Sequence, residues 1–223
     1  MAKARIIYWN KGSVTRLKFR GHTKGRSYTL SIEGMLKMAW YVLFVKTGCE
    51  HRAETEISKT WKIEDIHPFV PMYDAYFKRS GKRILEKRRL FPGYIFIESK
   101  IKGTEFYTAI KPFIAQSENT LKLLRYGEDY DDHSFEMHKE EQQSLMNIYN
   151  DEYCIEISQG FIEGNAVTIT NGSLLGLENR IKKINRHKME AVVEIQMMGT
   201  IREMTVGLEI VGKTHTIVFS SQL

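Results

Sequence analysis

The clearest apolar pattern in the chain begins near residue 38 and predicts a strand followed by a helix. Residues Trp40–Thr47 form a run of apolar, aromatic and β-branched side chains, which is typical of a buried strand. The following stretch, Cys49–Glu64, is rich in helix formers, and it carries Ala53, Ile57 and Trp61 at regular intervals. A spacing of about four residues places these three side chains on one face and predicts an amphipathic helix.

A hairpin and a further strand are predicted next. The segments Met72–Lys78 and Arg83–Arg88 have strand character, and they flank a turn that contains Gly81. Another strand, Tyr94–Ser99, follows the pair Pro92-Gly93. Proline fixes its own φ and glycine allows another backbone to come close, so this pair predicts a tight, well-defined entry into the strand.

The strand after Pro92-Gly93 has two different faces. Side chains alternate across a strand with a period of two, so Tyr94 and Phe96 share one face while Ile95 and Ile97 share the other. One face must fill the core of the domain. The other face either presents aromatic side chains to a partner or is itself covered by helices.

Two more helices are predicted before residue 152. Thr104 can cap the first, and Pro112 is expected to stop it. A weakly alternating strand, Thr120–Gly127, separates it from a second helix over Ser134–Asp151 with Ser134 as its cap. The region around this second helix is strongly acidic, so we expect its carboxylates to be solvated and to stay away from phosphates.

The pattern changes to short β-branched strands over residues 158–212. The pair Asn171-Gly172 is a strong hairpin signal, and strands at this regular spacing indicate a small barrel. We therefore predict an α+β fold with a basic extension over residues 1–37, an α/β domain over residues 38–150, a linker over residues 151–160, and a β-barrel with a C-terminal tail over residues 161–223.

The charge distribution limits any electrostatic argument to local patches. The net charge is +6, but nine of the 33 basic residues and only one of the 27 acidic residues lie within residues 1–38. The remaining chain holds 24 basic and 26 acidic residues, so it is not basic overall. A role in binding nucleic acid must therefore depend on particular clusters.

The basic extension has two interpretations. It is either an unstructured arm that touches nucleic acid, or it results from a mis-assigned start, with translation beginning at Met35 or Met38. A native peptide from residues 1–34, found by mass spectrometry, would exclude the second interpretation.

The sequence contains no pattern of a catalytic, metal or membrane site. Cys49 and Cys154 are isolated, and the seven histidines have no ligand spacing, so we expect reduced thiols, no metal and no cofactor. No phosphate-binding loop, nucleophile elbow, signal peptide or membrane-spanning run is evident. We expect a cytoplasmic protein that is not an enzyme, has no catalytic residues and does not bind membranes.

Four segments together resemble the NusG family of transcription elongation factors. The first three, Trp40–Glu54, Phe69–Tyr73 and Arg88–Glu98, are similar to the family's N-terminal α/β sandwich. The fourth, Glu163–Ile184, is similar to its KOW motif, which forms an SH3-like barrel. The long ending Ser173–Val211 further resembles the LoaP-type antiterminators of Gram-positive bacteria.

The KOW-like segment departs from the family pattern at two positions. Asn179 and Ser173 stand where the family usually has Gly and Pro. Asparagine tolerates positive φ better than most residues, so a tight turn remains feasible at residue 179.

The resemblance implies a bacterial transcription regulator that lays its N-terminal domain on the clamp helices of the largest subunit of RNA polymerase. Aromatic side chains are common anchors of such interfaces. The residues expected at this contact surround the strand after Pro92-Gly93. They are Phe69, Pro71, Tyr73, Phe91, Pro92, Tyr94 and Phe96.

Two basic clusters are candidate nucleic-acid contacts. The first lies on the predicted hairpin, where it either meets the non-template DNA strand or is a solvated surface; it consists of Lys82, Arg83, Lys87, Arg88 and Arg89. The second lies at a strand and turn of the barrel and consists of Arg180, Lys182, Lys183, Arg186, His187 and Lys188. Such side chains can hold an RNA backbone and a splayed base, although many KOW domains bind proteins instead.

These observations predict a monomeric regulator that promotes processive antitermination and is recruited by an RNA hairpin in the nascent leader transcript. The alternative within the family is a housekeeping elongation or termination factor whose barrel binds protein partners. An alternative outside it is an RNA-binding module that does not contact polymerase.

Overall fold

The computed structural model describes residues 18–23, 26–31, 38–61, 65–127, 134–164 and 166–211. Strands β1 (Lys18–Thr23) and β2 (Arg26–Ser31) pair as an antiparallel hairpin that the sequence pattern did not predict. The rest of the predicted basic extension and the C-terminal tail beyond residue 211 lie outside the described residues.

A four-stranded antiparallel sheet with two helices on one face forms the centre of the N-terminal domain. Its strands are β3 (Ala39–Val45), β4 (Ile66–Phe69), β7 (Tyr94–Ser99) and β8 (Thr120–Leu123), in the spatial order β4-β7-β3-β8. The helices are α1 (Glu50–Thr60) and α2 (Gly103–Gln116). The predicted strand, helix and strand of this region are confirmed.

The predicted hairpin is also confirmed. Strands β5 (Met72–Arg79) and β6 (Lys82–Arg89) pair antiparallel around Gly81, whose φ is +77°. The short strand β9 (Cys154–Ile155) lies in the predicted linker and pairs in parallel with the start of β5. The linker is therefore joined to the hairpin by backbone hydrogen bonds.

The C-terminal region is a curled five-stranded sheet. Its strands are β10 (Ser158–Glu163), β11 (Ala166–Asn171), β12 (Ile181–Asn185), β13 (Glu190–Met197) and β14 (Thr200–Ile210), with a short 3₁₀ turn at Glu178–Arg180. The spatial order is β11-β10-β14-β13-β12, and the two edge strands are not paired with each other among the described residues. The strands agree with the sequence pattern, while a closed barrel is not established.

The alternation along β7 produces two different faces, as the pattern predicted, and each face joins a separate core. Ile95 and Ile97 join a core under α1 and α2. Phe96 faces the opposite way and joins a second core with Trp40 and Val42 of β3. This second core also contains side chains of the C-terminal sheet, including Val193 and Val206. The C-terminal sheet therefore packs on the face of the central sheet opposite α1 and α2.

Two helix predictions are wrong at their ends. Helix α2 begins at Gly103 and runs past Pro112 to Gln116, and the side chain of the residue before it, Lys102, makes no capping hydrogen bond. The hydroxyl of Tyr41 accepts the Gly103 N–H at 2.8 Å, so a core side chain replaces the predicted Thr104 cap. Packing of the apolar face of α2 into the core outweighs the backbone hydrogen bond that a proline cannot make.

The third helix is shorter than predicted. Helix α3 covers only Lys139–Met146, and the residue before it, His138, has an extended backbone. The Ser134 hydroxyl accepts the Glu136 N–H at 3.0 Å in a local turn instead of capping the helix. The His138 N–H donates to the Tyr126 hydroxyl at 2.7 Å, so the side chain of Tyr126 holds the chain at the start of α3.

Candidate functional site

The turn before β7 is fixed by a buried carboxylate. Gly93 has a φ of +86°, and its N–H donates to Glu50 Oε1 at 2.8 Å. Its carbonyl oxygen accepts the Val45 N–H at 2.8 Å, which ties the turn to β3. A side chain at residue 93 would be strained at this φ and would crowd Thr47 Oγ1, 3.2 Å from an added Cβ. The sequence therefore needs glycine here, as its pattern indicated.

Glu50 joins this turn to the basic hairpin. It is fully buried at the start of α1, and its Oε2 lies 3.2 Å from Arg89 Nε. Burial alone would raise the pKa of Glu50, but the N–H groups of Gly93, Glu50 and Gly48 and the charge of Arg89 together lower this pKa. The carboxylate is therefore ionised at neutral pH and holds both the turn and Arg89.

We expect Glu50→Gln to destabilise the protein by about 1–3 kcal/mol at pH 7, because it removes the charge that the buried donors and Arg89 face. The folded-state pKa of Glu50 is lowered, so its stabilisation is present above the ordinary pKa of 4.5 and is lost as the pH falls through the folded-state pKa. Urea unfolding across this range should therefore show the wild type and the variant converging in acid. Glu54→Gln, at a half-buried position of the same helix whose carboxylate lies beside the exposed His51, is the control. An equal loss in both variants would contradict this role.

The predicted polymerase-binding residues lie around this turn and are mostly buried. Phe69, Pro71, Tyr73, Phe91 and Phe96 are buried, Tyr94 is half-buried and Pro92 is exposed. Tyr153 of the linker stacks on Phe69, with ring centroids 3.7 Å apart and planes 16° apart. The ring of Tyr149 stacks on the ring of Trp40, with the two ring centroids 6.5 Å apart. The linker and the residues just before it therefore cover the aromatic face, and the C-terminal sheet continues the same core.

A buried polar group lies beneath this face. Glu98 is 4% exposed at the end of β7, and its Oε1 accepts the indole N–H of Trp40 at 3.0 Å. His67 Nδ1 lies 3.6 Å from Glu98 Oε2 and 3.4 Å from the Tyr153 hydroxyl. Burial and the nearby Glu98 carboxylate raise the pKa of Tyr153, so its hydroxyl stays protonated. Polar contacts thus accompany the stacking of the linker on the domain.

Glu141 of α3 holds the far end of the C-terminal sheet. It is 5% exposed, and it accepts the Met198 N–H at 2.9 Å and the Gly199 N–H at 3.0 Å. The Tyr126 hydroxyl also donates to it, at 2.6 Å. The expectation that the carboxylates of this acidic helix are solvated is wrong for Glu141. Its backbone donors come from the turn between β13 and β14, far along the chain, where sequence patterns give no signal.

Strand β14 also comes very close to β5. Gly207 lies at the crossing, and an added Cβ there would lie 2.5 Å from the carbonyl oxygen of Asp74 and 2.7 Å from Ile157 Cγ1. A contact shorter than 3.0 Å cannot be kept without movement. The absence of a side chain at residue 207 is thus what allows the sheet to approach the hairpin.

Four of the five predicted cations of the basic hairpin are paired with carboxylates of this chain. Arg83 lies 3.1 Å from Glu209 and Arg88 lies 3.3 Å from Glu190, both in the C-terminal sheet. Lys87 pairs with Glu152 of the linker, and this pair raises the pKa of Lys87 and lowers that of Glu152. Arg89 pairs with Glu50, while Lys82 at the tip of the hairpin is exposed.

The second basic cluster lies at one edge of the C-terminal sheet. Its six predicted members, from Arg180 to Lys188, are all exposed. Lys182 pairs with Glu194 at 2.9 Å, and the strand register shifts between Ile181 and Lys183, where the sequence alternation also breaks. The turn after β12 presents the last three members to solvent, and the Asn185 side chain holds it by accepting the Lys188 N–H at 3.0 Å.

The described residues were compared with the requirements of a metal centre and of a membrane-spanning helix. Within the described part of the chain, no group of three or more His, Cys, Asp or Glu side chains could hold a metal ion. No helix among the same residues is long and apolar enough to cross a bilayer.

A family model described as "Transcription termination factor nusG" matches residues 38–146. Because of this match we call residues 38–146 the NusG domain. It contains the central sheet, the hairpin and the helices α1, α2 and α3. A comparison with curated proteins gave no match.

One solved structure is similar to most of the chain. It is described as "Domain interaction in Thermotoga maritima NusG", and the two sequences are 18% identical. The match covers 79% of this chain and 96% of the other, with a TM-score of 0.41.

Proposed function

We propose that this chain regulates transcription elongation and that its NusG domain binds the clamp helices of the largest subunit of RNA polymerase. The match of residues 38–146 to the NusG family carries this proposal. The proposed contact is the face predicted from the sequence: Phe69, Pro71, Tyr73, Phe91, Pro92, Tyr94 and Phe96.

The geometry of the turn supports this use of the face. Pro92 is exposed and Tyr94 is half-buried, so the edge of the face is accessible in the structure described here. The turn is held from below by Glu50, so a partner would meet a rigid surface and lose little entropy in ordering it. The remaining aromatic residues are under the linker and the C-terminal sheet, so full docking requires this cover to move.

We further propose that the C-terminal sheet is a KOW-type, SH3-like barrel of the LoaP-type antiterminators and that it binds an RNA hairpin in the leader transcript. The exposed cations at the edge of the sheet support this role, because phosphates need accessible Lys and Arg side chains. The result would be polymerase that reads through terminators. A general elongation factor whose sheet binds proteins is the competing function.

Terminator read-through in vitro tests this proposal. The full chain is added to purified RNA polymerase on a template with its own upstream leader and terminators, and on a template with a scrambled leader. We expect read-through only with the native leader. Equal read-through on both templates would indicate the general factor, and no effect on either template would contradict the proposal.

Neutralising the basic side chains at the edge of the C-terminal sheet should abolish leader-dependent read-through. We expect replacement of Lys182, Lys183, Arg186 and Lys188 by Gln to remove about four phosphate contacts and to reduce the salt slope of RNA binding by roughly 3. The control removes four exposed cations of the NusG domain, namely Arg52, Lys59, Lys102 and Arg125. If both variants lose read-through equally, the effect comes from net charge and the RNA site is refuted.

A further inference from the structure

We propose that the cleft between the two edge strands of the C-terminal sheet holds one unpaired base from the loop of the RNA hairpin, while Lys182 and Lys183 at its rim hold the neighbouring phosphates. The inference rests on the proposed function, because it names the part of the RNA that this sheet would recognise. It gives one surface two tasks. The basic side chains supply affinity for any RNA backbone, and the cleft selects a loop with a base that is free to enter it.

The cleft lies where the curled sheet is open. Strands β11 and β12 are the two edges of the sheet, and they are not paired with each other among the described residues. The cleft has a volume of about 240 Å³. The hairpin of β10 and β11 forms one wall and β12 forms the other. The lining combines aliphatic side chains with two lysines: Ile162, Val167, Ile181, Lys182, Lys183 and Ile184.

The aliphatic side chains of the cleft are held in place and are still accessible. Ile162 and Val167 are register partners on the hairpin of β10 and β11, so their side chains share one face. Val167, Ile181 and Ile184 pack against the larger core and remain half-buried. A flat ring that enters the cleft would cover this apolar surface, and little side-chain entropy would be lost in ordering it.

A bulge in β12 brings two successive lysines to the same cleft. The register of β12 against β13 shifts between Ile181 and Lys183, so Lys182 is an extra residue in the strand. In a regular strand, two successive side chains point to opposite faces. Here both Lys182 and Lys183 line the cleft. The bulge therefore places two positive charges beside one apolar surface.

The charge around the cleft favours a partner that carries phosphates. Lys182 lies 2.9 Å from Glu194, but these side chains are 50% and 32% exposed, so the pair is weak and a phosphate can replace the carboxylate. Lys183 is exposed, and residues 186–188 in the turn after β12 add three exposed basic side chains. An unpaired nucleotide offers a flat ring for the cleft and phosphates for its rim.

The same bulge argues against a protein strand in the cleft. An extended peptide would add to the free edge of β12 through a regular ladder of backbone hydrogen bonds. A bulge bends the strand and disturbs such a ladder. The cleft is also smaller than the roughly 300–1,000 Å³ of pockets that enclose drug-sized ligands, so a single ring system fits it best.

Removal of single bases from the RNA tests the proposal with the full, unmodified chain. Each loop nucleotide of the leader hairpin is made abasic in turn, which removes the base and keeps the phosphate. We expect one position at which loss of the base weakens binding about tenfold, while the salt dependence of binding stays the same. If no position has this effect, the RNA is held through its backbone alone and the inference is overturned.

Filling the cleft from the protein side should have the same effect as removing the base. We expect Val167→Trp to bind the intact hairpin about tenfold more weakly, and to lose no further affinity when the base is removed. Thr168→Trp is the matched control, because residue 168 is exposed on the same strand and faces the opposite way. Equal binding of the intact hairpin by the two variants would overturn the proposal.

Photocrosslinking in the wild type gives an answer that does not depend on how any variant folds. A thiouridine replaces the nucleotide at the sensitive loop position, the complex is irradiated, and mass spectrometry identifies the crosslinked residue. We expect attachment at Ile162, at Val167 or within residues 181–184. Attachment at any other part of the chain would overturn the proposal.

Two outcomes separate this inference from the proposed function. If the leader hairpin does not bind the full chain, the RNA role proposed for the sheet fails and the inference fails with it. The other outcome is that the hairpin binds without a sensitive base, while a peptide of alternating Glu and Ile binds the wild type and Thr168→Trp but not Val167→Trp. The cleft would then take a protein strand, and only this inference would fail.

Discussion

Glu141→Ala is expected to release the C-terminal sheet from the NusG domain. The substitution leaves the Met198 and Gly199 N–H groups without their acceptor at a buried interface. Each unsatisfied donor costs about 1–3 kcal/mol, and bonds to a charged acceptor are worth more than neutral ones. Water can satisfy these donors only if the turn moves away from α3, so opening is the cheaper outcome.

Hydrogen exchange at the Met198–Gly199 turn and small-angle scattering measure this release. We expect fast exchange at the turn and a larger radius of gyration, while α1 and β3 keep their protection. Glu140→Ala is the control, because Glu140 precedes Glu141 in the same helix and is exposed. If the two variants show the same exchange at the turn and the same radius of gyration, Glu141 does not hold the C-terminal sheet on the NusG domain.

Gly207→Ala should open the same interface from the opposite side by sterics alone. The added methyl group would lie 2.5 Å from the Asp74 carbonyl oxygen, and backbone cannot yield as a flexible side chain can. Overpacking of this kind costs about 1–3 kcal/mol. Separation of β14 from β5 relieves the contact with Asp74 and breaks the Arg83–Glu209 pair nearby, so we expect an open population without any change of charge.

The substitution Gly207→Ala has a matched control elsewhere in the chain. Gly127→Ala adds the same methyl group where no atom lies within 4 Å. We expect Gly207→Ala to show a larger radius of gyration in small-angle scattering than Gly127→Ala, since its C-terminal sheet moves away from the hairpin. Equal scattering for the two variants would show that the close approach of β14 to β5 is not needed for closure.

Local patterns predicted most of the NusG domain because its elements depend on nearby residues. Periodicity alone predicted β3 and α1, and the turn at Gly81 predicted the hairpin. The alternation of Tyr94 to Ile97 correctly predicted two faces of β7. It could not predict what covers the aromatic face, because alternation shows only that a face is apolar.

The features that close the molecule depend on residues far apart in sequence. Glu141 looked like one of many solvated acids, and its partners lie 57 and 58 positions further along the chain. The sequence around Gly207 gives no sign of a special role, yet in the structure Gly207 of β14 lies against Asp74 of β5. Helix α2 likewise continues through Pro112 because it packs against a core that no local sequence pattern predicts.

The domain boundaries and the site residues remain predictions. The predicted linker contains β9, which pairs with β5, so the linker is part of the folded arrangement. The six residues of the second cluster are accessible, while most of the proposed polymerase contacts are not. The second cluster can therefore meet a partner directly, whereas the proposed polymerase contacts must first be uncovered.

Binding of the full chain to a reconstituted RNA polymerase elongation complex tests the central claim most directly. The wild type, Glu141→Ala and Glu140→Ala are compared by biolayer interferometry on the immobilised complex, with the nucleic-acid scaffold alone as the reference. The account predicts that the wild type binds the complex and that Glu141→Ala binds it more tightly than Glu140→Ala does. Failure of all three to bind polymerase beyond the bare scaffold would contradict it.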